Sequence, residues 1–244
     1  MPGLLPSVPR LPGPFLPAAP DIGTPLGVLE FGAVVDRRPV PRQPTRVHRL
    51  PGGALIHRWE CDSVELELLL CPFEASATDF TVPVDACWGA VWQVCARTVL
   101  RCVELSAAFR AVPADVESGY DGAQAVAAVT LENAGTVLTL AGPDEEQICT
   151  SAEDGRSMPR RWAADLDDVY RRSPRLTWGV EYLDGHRGLS WTLPSFQPGE
   201  HAVLHAATSW RTPRPDDPED DMSAWWATLV GPEHILAAAT GAGG

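Results

Sequence analysis

The chain has 244 residues, enough to bury a core as one large domain or two small ones, and its 45% hydrophobic content with nine tryptophans excludes a disordered polymer. A formal charge of −13 opposes binding to nucleic acid or an anionic membrane, and no apolar run approaches the roughly 20 residues that cross a bilayer. All 19 basic residues are arginines, which removes Schiff-base and P-loop lysine chemistry from consideration. A GC-rich coding genome, bacterial or viral, accounts for the missing lysine most simply; selection against lysine tagging is the sharper alternative.

Residues 1–50 carry six arginines against three acidic groups, a net of +3, which leaves −16 on residues 51–244. Seven prolines between Pro2 and Pro20 rule out a helix or central strand there and argue against a signal peptide. The default location is therefore cytoplasmic. Residues 1–50 read as a Pro-rich extended arm and linker, holding one strand at 26–35, and residues 51–244 as a β-rich globular domain, with a subdivision near 151–175 as an option.

From Gly53 the strand pattern is continuous. Ala54–Glu60 and Val64–Leu70 alternate as paired strands around Cys61-Asp62-Ser63, and Phe80–Val84 makes a short strand. Cys87–Val112 matches helical spacing in part, but its β-branched residues favour two strands. Val126–Leu131 and Thr136–Leu140 form a hairpin, and Glu146–Thr150 adds a strand. Ser157–Arg172 is the best helix, with Trp162, Leu166, Val169 and Tyr170 on one face. Leu176–Arg211 then reads as a three-stranded meander turned at Asp184-Gly185 and Pro198-Gly199. A short helix lies near the C-terminus. The expected fold is mainly β: an antiparallel β-sandwich or bent sheet with one or two peripheral helices and a Pro-rich N-terminal arm.

Six cysteines without a C-x-x-C spacing read as reduced, buried thiols. No G-x-S-x-G, H-E-x-x-H, G-x-G-x-x-G or Walker motif occurs. His201 and His205 share a strand face, and His186 lies just past the hairpin turn, so the three could hold a zinc ion in an alternative reading. Asp216, Asp217, Glu219, Asp220 and Asp221 form an acidic loop without the register of a calcium site. Trp225 and Trp226 cannot both face inward on one short element, so one ring is available for binding.

These features favour a non-enzymatic, acidic protein–protein interaction module, accessory, immunity-type or structural, whose partner is a basic protein or a second copy reached through the N-terminal arm. No cofactor, nucleic acid or membrane is expected. The alternatives are a metal-dependent hydrolase or lyase using His186, His201 and His205, and a small-ligand or carbohydrate-binding β-sandwich using Trp225 or Trp226.

Overall fold

Alternation along Gly27–Val35 puts Leu29, Phe31, Ala33 and Val35 in the interior and leaves Val28, Glu30, Gly32 and Val34 partly exposed. That pattern recurs through a computed structural model describing residues 19–50, 52–75, 83–123, 125–183, 185–218 and 221–241. In chain order the first strands are β1 (Asp21–Thr24), β2 (Gly27–Val35), β3 (Arg38–Pro39), β4 (Arg46–Arg49) and β5 (Leu55–Glu60). β6 (Val64–Phe73), β7 (Ala86–Ala96), β8 (Val103–Arg110), β9 (Glu117–Ala123), β10 (Val126–Asn133) and β11 (Thr136–Pro143) follow. Helix α1 (Glu145–Ala152), a 3-10 turn at Arg160–Asp165 and α2 (Leu166–Tyr170) precede β12 (Gly179–Tyr182), β13 (Gly188–Leu193) and β14 (His201–Arg211). The chain closes with α3 (Ser223–Trp226) and α4 (Pro232–Thr240).

Two antiparallel sheets result, so the expected β-sandwich is the fold. The six-stranded sheet runs β1-β2-β8-β13-β12, with β3 also on β2; the eight-stranded sheet runs β4-β5-β6-β7-β14-β11-β10-β9. Their inner faces share one core, to which β8 gives Leu105 and Ala107, β13 gives Trp191, and β6 gives Leu66 and Leu68. Each fully buried leucine there contributes roughly 1.5–3 kcal/mol relative to exposure. Trp191 reaches across the sandwich, where its Nε1 donates to the Pro143 carbonyl at 2.8 Å.

β6 and β7 are almost continuously buried because α4 covers their other face. Gly89 permits this contact, since a Cβ there would come 2.5 Å from Ile235 Cγ2 on α4. The outer face of the six-stranded sheet stays partly exposed instead. It carries Glu30, Gly32 and Val34 of β2 beside Glu104, Ser106 and Ala108 of β8.

Several expectations change. The 1–50 arm is, over residues 21–49, four strands of the sandwich; its residues 1–18 lie outside the described residues. The expected linker is absent there because Asp36 and Arg37 (φ 48° and 65°) make a two-residue turn that folds β3 back on β2. The 176–211 meander divides: β12 and β13 join the six-stranded sheet, whereas β14 pairs with β7 and β11 in the other. Buried Phe196 and its bridge to Leu100 carry the crossing. Glu146–Thr150 is helical because Asp144 caps α1, its Oδ1 accepting from Gln147 N at 2.9 Å. The helix expected at 157–172 is a 3-10 turn followed by α2. The Phe80–Val84 strand falls largely outside the described residues.

No helix among the described residues is long and apolar enough to cross a membrane.

Candidate functional site

Between the start of β1 and the end of β3, the free edge of β2 has no strand partner among the described residues. The β1 ladder starts at Asp21 opposite Glu30, and β3 pairs only Val34 with Pro39 and Val35 with Arg38. Between them, Phe31 N donates to the Pro20 carbonyl at 3.3 Å and Val40 N donates to the Ala33 carbonyl at 2.9 Å. Pro39 and Pro41 flank Val40 and have no N–H, so the segment cannot continue the ladder. The chain departs from the edge, and a cavity of about 290 Å³ opens beneath it.

Apolar walls come from Phe31, Val34, Val40 and Pro41, and Trp59 and Trp92 stand on the inner side. The two indoles lie with ring centroids 5.6 Å apart. Trp59 Nε1 donates to the Pro41 carbonyl at 2.7 Å, which ties the 39–42 segment to β5. Trp92 is only 2% exposed, and its Nε1 has no hydrogen-bond partner among the described residues. Buried His57, its ring centroid 6.4 Å from that of Trp59, also has an unpartnered nitrogen, Nδ1; burial depresses its pKa.

Polar groups from β2, β8 and the 39–42 segment complete the lining. Arg42 Nη2 lies 2.5 Å from Glu30 Oε1 and 3.0 Å from Asp21 Oδ2, and Arg110 Nε lies 3.5 Å from Glu30 Oε2. Hydrogen bonds to Asp21 and Glu30 hold the Arg42 guanidinium above its usual pKa. Gly32 leaves room for the Ser106 hydroxyl, because a Cβ at 32 would sit 2.8 Å from Ser106 Oγ. The cavity thus joins apolar surface to groups that donate and accept in fixed directions, at the small end of the roughly 300–1,000 Å³ range of ligand pockets.

The residues singled out from sequence lie elsewhere. Trp225 is buried against Ala128 and Ala141, and Trp226, 40% exposed, meets it edge-to-face at 4.9 Å. Asp217 and Asp221 fold onto buried Arg211, at 2.7 Å and 2.6 Å, so they anchor the acidic loop. Asp216 is exposed; Glu219 and Asp220 lie outside the described residues.

The three histidines are not assembled. His186 occupies a left-handed turn (φ 64°) against Tyr120 and Tyr182, while His201 Nε2 pairs with the Arg156 carbonyl at 2.9 Å. His205 is buried and its pKa is depressed to about 4 by that burial. Its side chain shares the outer face of β14 with that of His201, but four residues of strand separate them by roughly 13 Å. Among the described residues no group of three His, Cys, Asp or Glu side chains could hold a metal ion.

Cys95 stands opposite His201 in the β7–β14 register. Burial raises its pKa, and Glu65 and Glu67 add to the rise against an opposing bond from Gln93. A raised pKa disfavours the thiolate form. Glu30, Arg42, Ser106 and Arg110 gave no motif, and the only pointer to them is the Pro39-Val40-Pro41 spacing at a strand edge.

No protein-family model and no curated protein matches the chain. Among solved structures it is similar to one described as a kojibiose phosphorylase from the human microbiome, at 4% identity and a TM-score of 0.49 over 87% of this chain. It is also similar to a polysaccharide lyase, at 14% identity and a TM-score of 0.35 over 78% of this chain. The chain spans 26% of the length of each. The expectation of a non-enzymatic acidic interaction module assembling through its arm is corrected. Two of its supports are engaged internally: residues 21–49 build sheet, and Asp217 and Asp221 neutralise Arg211.

Proposed function

We propose that the chain is a small-ligand-binding β-sandwich whose ligand is a carbohydrate, held at the open edge of β2. The observation supporting this most is the composition of one cavity: an Arg42–Glu30–Arg110 cluster and the Ser106 hydroxyl beside two indoles, one with an unused N–H. A sugar ring presents apolar C–H faces and hydroxyls that both donate and accept. Carboxylates and guanidinium groups answer such hydroxyls in pairs, and indoles answer the C–H faces.

Tryptophan fluorescence titrated with a panel of mono- and oligosaccharides tests the reading. A saturable change for at least one sugar, lost in Arg42→Ala, is expected; Arg42 is exposed, so the variant keeps its fold. Unchanged emission with every sugar contradicts the reading.

A further inference from the structure

We infer that this cavity accepts a neutral polyhydroxylated ring and discriminates against uronates and phosphorylated sugars, with Trp92 Nε1–H as the donor that selects an acceptor oxygen on the ligand. The inference rests on the carbohydrate reading above and specifies its substrate class.

Charge at the mouth is balanced. Arg42 is shared by Asp21 and Glu30, and Arg110 faces the second oxygen of Glu30, so two guanidinium groups meet two carboxylates. No cation of this cluster is left over for an anion. A ligand carboxylate or phosphate would compete with Glu30 and Asp21 for the same two guanidinium groups and would lie beside both carboxylates. The net charge of −13 adds to that repulsion. A hydroxyl meets no such obstacle, because it can donate to the carboxylate while accepting from the guanidinium and leave the ion pairs intact.

Deeper in, Pro41 takes the Trp59 N–H, but nothing among the described residues takes that of Trp92. A buried donor without an acceptor is uncommon in a folded protein and marks a place where a bound oxygen fits. The ring oxygen or a hydroxyl of a sugar supplies that acceptor. Selection then comes from two sources: repulsion at the mouth against charged sugars, and an unpaired N–H inside that penalises ligands lacking a suitably placed oxygen.

Isothermal titration of the full chain with glucose, galactose, mannose, their methyl glycosides, glucuronate, galacturonate and glucose phosphate tests this. At least one neutral sugar is expected to bind, with its uronate or phosphate counterpart roughly tenfold weaker or more. Trp92→Phe keeps a ring and removes the N–H; affinity for that sugar is expected to fall roughly fivefold or more. The Trp92 indole N–H resonance of the unaltered protein gives a second readout, with a downfield shift on binding. A charged sugar that binds as tightly as its neutral parent overturns the charge assignment while leaving the carbohydrate reading in place. Unchanged affinity in a folded Trp92→Phe, or an unmoved Trp92 resonance at saturation, overturns the donor assignment. Binding of no sugar, neutral or charged, removes both the inference and the reading beneath it.

Discussion

Trp59 and Trp92 lie 5.6 Å apart across β6, yet among the described residues only Trp59 has an acceptor for its indole N–H, the Pro41 carbonyl at 2.7 Å. One indole therefore holds the 39–42 segment in place, and the other lines the same cavity with its N–H unpaired among the described residues. Trp59→Phe breaks the bond, leaves the Pro41 carbonyl without its partner and is expected to lower stability by about 1 kcal/mol beyond its loss of packing. Trp92→Phe breaks no hydrogen bond and is expected to cost less. Urea denaturation of both variants checks this order, and a larger loss for Trp92→Phe contradicts it.

Arg211 is 5% exposed and depends on Asp217 and Asp221 for its charge balance. Arg211→Met strands two carboxylates and is expected to destabilise the fold by about 3–5 kcal/mol. Adding Asp217→Asn and Asp221→Asn removes the stranded charges, so the triple variant is expected to regain most of the loss. Chemical denaturation of the single and triple variants tests this; a triple variant no more stable than the single one contradicts it.

His205 gives the fold a pH dependence. Burial pulls its pKa from 6.5 to about 4, and Glu233 and the Val230 carbonyl oppose this only in part. Between those values the unfolded chain takes up a proton that the folded chain refuses. Stability from this group is therefore full above pH 6.5 and falls as the pH drops towards 4, by at most about 3 kcal/mol. His57, also lowered by burial, acts in the same direction. Unfolding free energies of the unaltered protein and His205→Gln, measured at pH 7 and pH 5, are expected to show a smaller acid loss in the variant.

Much of the architecture was legible because a strand with one face buried announces itself by alternation. The β2 pattern and the hairpin of β10 and β11 follow directly from residue order. Strand partners are not written that way: β14 alternates equally well whether it joins β13 or β7, and the crossing at Phe196 depends on long-range packing. The Glu146–Thr150 segment misled because its apolar residues resemble a strand, and the Asp144 cap outweighs them. The candidate site was hidden for a different reason. Trp59 and Trp92 have core-like spacing, and Pro39 and Pro41 resemble a linker until β3 turns back along β2. Asp36-Arg37 is an unusual pair for a turn with two positive φ angles, so that hairpin had no signature of the Asn-Gly kind.

Gly142 tests the contact between the sheets. A Cβ there would sit 2.5 Å from Trp191 Cζ2 and 3.0 Å from the His205 carbonyl, against a fully buried ring and a strand backbone. Gly142→Ala is expected to lower stability by about 1–3 kcal/mol through overpacking, with a drop in the thermal midpoint. An unchanged midpoint contradicts the tight packing of Trp191 against β11.

The cavity at the open edge of β2 is tested most directly by nitrogen-15 spectra of the tryptophan indole N–H groups during a titration with neutral sugars. The Trp92 resonance is expected to move downfield and saturate, while that of Trp162, which pairs with the Ser195 carbonyl and packs on Phe196 outside the cavity, stays in place. A titration in which no indole resonance moves, or in which only exposed Trp226 responds, contradicts it.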